Sequence, residues 1–122
     1  MWSPRWPFDD TTFERSAAAF DNPDFVDVVI HSYRHRFGLV PGDPAVAHIE
    51  TRLVAQPPIP VPTITIDGDA DGVNSGTAHH AAMFIGPHQH RVFKWAGHNP
   101  PQERPAEWVE AVLDARAMAG AT

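Results

Sequence analysis

"TITIDGDADGV", residues 63–73, places Asp67, Asp69 and Asp71 at alternate positions directly after a run of β-branched side chains. Two readings compete for it. In one, the aspartates open a calcium loop. In the other, the run is a β-strand that stops at Gly68 and presents one carboxylate to a site beyond its end. Counting decides between them. An EF-hand loop needs oxygen ligands at positions 1, 3 and 5, glycine at 6 and a bidentate glutamate at 12. Asp67, Asp69, Asp71 and Gly72 fit the opening, but position 12 is Ala78, whose methyl group coordinates nothing. Upstream, Pro57, Pro58, Pro60 and Pro62 stand where the entering helix belongs. The strand reading stands.

Composition narrows the classes. A chain of 122 residues holds at most one ordinary domain, and its 43% hydrophobic content is that of a globular protein. Fifteen acidic against nine basic residues give a net charge of -6, which argues against nucleic acid or an anionic membrane as partner. No cysteine is present, so disulfide and thiolate chemistry are excluded and a cytoplasmic setting is expected. No apolar run is long enough to span a bilayer. The opening "MWSPRWPFDD" is unusual, with two tryptophans and two prolines and nothing before them to pack against.

Outward from the strand, helices precede an αβ alternation. Thr11 or Asp10 is expected to cap a short helix through Phe20. In "DNPDFVDVVIHSYRHRFG", 21–38, Asn22 is expected at the cap, Pro23 at the first helical position and Gly38 at the stop. Val26, Val29, Ile30, Tyr33 and Phe37 recur at helical spacing, so that face should be buried. A third helix is expected over 43–56, then a stiff proline connector over 57–62. After the first strand come a helix over 77–84, a second strand over 90–95 and a closing amphipathic helix from Glu103, with Trp95 and Phe84 packed in the core. Strand, helix, strand, helix describes one crossover unit of a parallel α/β sheet. Two parallel strands need neighbours and covered faces, so the sheet is expected to be incomplete.

From Pro62 to about Ala115 the chain resembles the C-terminal end of an α/β-hydrolase. The carrying residues are Gly68-Asp69-Ala70-Asp71 after the first strand and Ala96-Gly97-His98-Asn99 after the second, running into the last helix. The resemblance implies that Asp71 is the triad acid and His98 the general base, in the fold's order of nucleophile, acid, histidine. Asp67 is then expected to end the strand, and Asp69 to face solvent or bond the turn's amides. The nucleophile has no candidate. Ser3, Ser16, Ser32 and Ser75 all lack a Gly-x-nucleophile-x-Gly elbow, and so do the aspartates. The expectation is a piece of a larger hydrolase, from a truncated reading frame or a split gene, inactive by itself, whose partner is the missing N-terminal half of the fold. Residues 1–56 would be cap (lid) helices and 57–122 the last αβ units of the core.

"HSYRHR", 31–36, resembles the cap helix of epoxide-hydrolase-like and haloalkane-dehalogenase-like members. That resemblance implies a substrate-binding role for Tyr33, hydrogen bonding to an epoxide oxygen as the ring opens. It also implies an ester on an aspartate nucleophile, hydrolysed by water that the histidine activates. A small organic substrate (epoxide, haloalkane or ester) is expected, with no cofactor and no metal. A rival reading rests on His79, His80, His88, His90 and His98, which crowd one stretch and could make a His-rich metal-binding module. Against it, His88 follows Pro87 into an expected turn, and His79 and His80 should point apart on a helix. A third reading is a non-enzymatic module that completes another chain's sheet.

Overall fold

The structure, a computed structural model, describes residues 2–120. The chain divides into two compact units, Pro7–Gln56 on one hand and Met1–Trp6 with Pro57–Thr122 on the other.

Pro7–Gln56 is helical. Helix α1 (Asp10–Ala17) is capped by Asp9, whose carboxylate accepts the Thr12 amide and the Thr12 hydroxyl, each at 2.8 Å. The cap is therefore one residue ahead of the expected Asp10 or Thr11. Helix α2 (Phe25–Arg36) starts later than expected. The Asn22 side chain accepts the Asp24 amide at 3.0 Å, and this local turn holds Pro23 and Asp24 outside the helix. Gly38 closes α2 as expected, in the left-handed region at φ 69°, while the Leu39 amide reaches back to the Arg34 carbonyl at 2.8 Å. Asp43 caps a tight turn over Pro44–Val46 that leads into α3 (Ala47–Val54). The stripe on α2 is not buried: Val26 is 60% exposed, Tyr33 50% and Phe37 70%. Helical spacing shows that a face seeks cover, and nothing among the described residues supplies it.

The second unit holds two strands, β1 (Thr63–Gly68) and β2 (His88–Phe93), paired in parallel from Thr63 opposite His88 to Gly68 opposite Phe93. The β-branched run of β1 forms as expected. Strand β2 lies two residues earlier than the expected 90–95, so His88 is its first residue, not part of a turn. The ladder to β1 sets that register. Beyond Phe93 the chain cannot stay extended, since Trp95 is left-handed at φ 62°. The crossover segment, expected as an α-helix, is a six-residue 3₁₀ turn over Ala78–Met83. Its tighter winding brings the His79 and His80 rings to 3.9 Å, so they do not point apart. After β2 come α4 (Pro100–Glu103) and α5 (Pro105–Gly120). They are two helices because Pro105 keeps Arg104 out of the helical region, at φ -136°.

The two faces of the sheet differ. Ile64, Ile66 and Phe93 pack under α5 against Trp108 and Ala111, and Ala96 completes this small core. Arg91, on the same side, pairs with Asp114 of α5 at 2.7 Å. The opposite face is polar, with the Thr65 hydroxyl between His88 Nε2 at 3.0 Å and His90 Nδ1 at 3.1 Å. Trp95, expected in the core, is 59% exposed and carries the Arg5 guanidinium over its ring at 4.4 Å. Phe84 is half-buried and stacks on His88. Mixed helix with a two-stranded parallel sheet is an incomplete α/β fold, since parallel strands are stable only with neighbours and two covered faces. No helix among the described residues is long and apolar enough to cross a membrane.

Candidate active site

Because β1 and β2 are parallel neighbours, the loops leaving both C-terminal ends emerge on one edge of the sheet, the edge where open α/β folds place their chemistry. The loops are stitched together by backbone. The Asp69 amide donates to the Phe93 carbonyl at 3.1 Å and the Ala70 amide to the Ala96 carbonyl at 2.8 Å. Gly68 makes this possible, since a Cβ there would collide with the carbonyls of Ala96 and Gly97. Asp69 adds a side-chain link, its Oδ1 accepting the Trp95 amide at 2.6 Å, with Lys94 Nζ 3.4 Å from its other oxygen. Asp69 therefore bonds the amide of the neighbouring loop and not those of its own turn.

Asp71 and His98 meet at this edge. His98 Nδ1 lies 3.0 Å from Asp71 Oδ2, and the two side chains are 33% and 12% exposed. Asp71 Oδ1 accepts the amides of Val73 at 2.7 Å and Asn74 at 3.1 Å, which fixes the carboxylate plane. Burial pushes the Asp71 carboxyl up, but the His98 hydrogen bond, the two amides and the His98 charge outweigh it and hold the group below its ordinary value. Asp71 is thus an anion near neutral pH and can only accept. Between the two groups the proton therefore sits on Nδ1, and whenever the imidazole is neutral Nε2 keeps the lone pair a general base needs.

Asp67 lies within β1, not at its tip. Its carboxylate accepts the Thr77 amide at 2.7 Å and hydroxyl at 2.9 Å, with His90 Nε2 at 3.3 Å. A cleft of about 520 Å³ beside Asp71 is lined by Asp67, Asp69, Asn74, His79 and His90 among others, but not by His98. Tyr33 stands half-exposed on α2 in the Pro7–Gln56 unit, beside Ser32 and Arg36. Of the expected site residues, the structure joins Asp71 to His98. Among the described residues no three His, Asp or Glu side chains gather where a metal ion could be held.

Sequence reasoning missed the contacts beneath the histidine. Glu103, 8% exposed, accepts the Gly97 amide at 2.7 Å, the Asn99 amide at 2.9 Å and the Ser3 hydroxyl at 2.6 Å. Its only sequence signal is a lone acid placed just before Arg104-Pro105.

No family model matches the chain, and no curated protein matches it. A solved structure does: a protein of Klebsiella pneumoniae subsp. pneumoniae MGH 78578, provisionally assigned as an epoxide hydrolase, superposes with a TM-score of 0.88 at 48% identity over 93% of this chain. The relationship is epoxide-hydrolase-like. The chain spans 38% of that protein's length.

Proposed function

We propose that Asp71 and His98 are the acid and general base of an α/β-hydrolase triad acting on a small organic substrate. The observation that carries the proposal is the 3.0 Å bond between His98 Nδ1 and Asp71 Oδ2, at the C-terminal ends of adjacent parallel strands and in the order acid, then histidine. The 48% identity to the Klebsiella protein supports the class, and among the three substrate types it favours the epoxide. The nucleophile, aspartate or serine, comes from outside these 122 residues. The exposed apolar stripe on α2 fits the missing part of the fold as partner.

With an aspartate nucleophile the proposed steps are these. The nucleophile's carboxylate attacks one epoxide carbon as the C–O bond breaks, and Tyr33, in the role the resemblance gives it, hydrogen bonds to the alkoxide that develops. His98 Nε2 then takes a proton from water as that water adds to the ester carbonyl. Asp71 stabilises the imidazolium that forms. Collapse of the tetrahedral intermediate restores the carboxylate and frees the diol, whose two oxygens take the imidazolium proton and the remaining proton of the water.

The test is a hybrid in which this chain replaces the matching segment of the Klebsiella protein, assayed on an epoxide, a haloalkane and an ester. Turnover of one class is expected, abolished by His98→Ala at retained secondary structure. A folded hybrid inert on all three, or one indifferent to His98→Ala, overturns the assignment.

A further inference from the structure

The pair of loops that carries Asp71 and His98 is held from beneath by a clamp built from both ends of the unit. Trp2 and Ser3 supply one jaw. The Trp2 carbonyl accepts two amides at 3.2 Å each, that of Gly72 beside the acid and that of His98 itself. The Trp2 ring meets the imidazole edge-on, with centroids 5.0 Å apart. The Ser3 Oγ accepts hydrogen bonds from the His98 amide at 3.1 Å and Asn99 Nδ2 at 3.2 Å, and donates its own to Glu103. Glu103 is the other jaw, and its carboxylate also takes the amides on either side of the histidine, Gly97 and Asn99. Gly97 has no room for a side chain, because a Cβ there would press on Ser3.

A bland role for Glu103 is to cap α4. A cap needs the Asn99 amide and nothing else, yet Glu103 also takes the Gly97 amide, on the other side of His98, and the hydroxyl of Ser3, whose oxygen accepts the His98 amide. We infer that Glu103 and Ser3 are positioning residues for the proposed base, setting the imidazole against Asp71 through the backbone on both of its sides. This rests on the triad reading for its purpose, but the geometry can be measured without catalysis.

Glu103→Gln is the sharp perturbation because it keeps shape while removing the charge and replacing one acceptor oxygen with an NH₂ donor. All three partners are donors, so whichever way the amide turns, its NH₂ faces at least one of them. In the isotopically labelled full chain, the wild type is expected to show the hydrogen-bonded Nδ1–H proton of His98, and Glu103→Gln to lose it by line broadening or by a mixture of tautomers. Phe93→Leu serves as control, weakening the core while keeping that resonance. Should Glu103→Gln unfold the chain, Ser3→Ala carries the test, since it removes one donor and leaves the carboxylate its two amides. Its expected result is a weakened, exchange-broadened signal. In the hybrid enzyme the same substitutions should lower kcat by about 10- to 100-fold with KM little changed, as a misplaced base does. An unaltered Nδ1–H resonance in the folded variant overturns the inference. An inactive hybrid with the resonance behaving as described overturns the triad assignment and leaves the clamp standing.

Discussion

Asp71→Asn separates geometry from chemistry more cleanly than any other substitution in this chain. The two carboxylate oxygens have distinct duties: Oδ1 holds the Val73 and Asn74 amides, and Oδ2 faces His98 Nδ1. Asparagine keeps the first duty, because its carbonyl can take both amides and preserve the turn. It reverses the second, because its NH₂ confronts Nδ1–H and drives the imidazole proton to Nε2. The stability cost is the net loss of one charge-assisted bond to a partly exposed partner, about 1 kcal/mol after solvent screening. The kinetic cost is of another order, since a base in the wrong tautomer loses about 10⁴-fold, or roughly 5 kcal/mol. The assay pairs thermal unfolding of the Asp71→Asn hybrid with its turnover of the preferred substrate. A small shift in Tm with nearly complete loss of kcat is expected. Turnover within about tenfold of the parent, in a hybrid that melts normally, refutes the reasoning.

Acid should destabilise the chain through the same site. Asp71 and Glu103 are held below ordinary values of 3.8 and 4.5, so their contribution is full above those values and is lost as pH falls through the lower folded ones. Melting curves taken at stepwise lower pH should show Tm falling through this acid range, and less steeply in Glu103→Gln. Gly68→Ala should cost about 1–3 kcal/mol by chemical denaturation, because the carbonyls of Ala96 and Gly97 must move aside. A neutral result would mean that the two loops are not tightly apposed. Tyr33→Phe should leave Tm unchanged, the side chain being half exposed, and lower epoxide turnover in the hybrid by about 10²-fold. Unchanged turnover would refute the substrate-binding role proposed for Tyr33.

The sequence carried the fold where local chemistry and tertiary context agree. The Thr63–Ile66 alternation bounded by Gly68 can hardly be anything but a strand, and Pro105 early in an amphipathic run announces α5. It failed where a distant partner decides. "HQH", 88–90, has little strand character of its own and is extended because β1 lies alongside. The start of α2 was misplaced because the Asn22 side chain competes for an amide that the helix would otherwise use. The α2 stripe was legible as a face seeking cover, but periodicity does not say whether this chain provides it. At the site, Asp71 and His98 could be singled out because each follows a strand and a glycine in a familiar order. Ser3 and Glu103 could not, since their bond closes across nearly the whole chain and no spacing encodes it.

The most direct measurement is the long-range proton–nitrogen correlation spectrum of the His98 imidazole in the labelled wild-type chain, above the pH where histidine loses its charge. A proton on Nδ1, slowed in exchange by Asp71, and a bare Nε2 are expected. A proton on Nε2, or rapid averaging of the two forms, contradicts the assignment of Asp71 and His98.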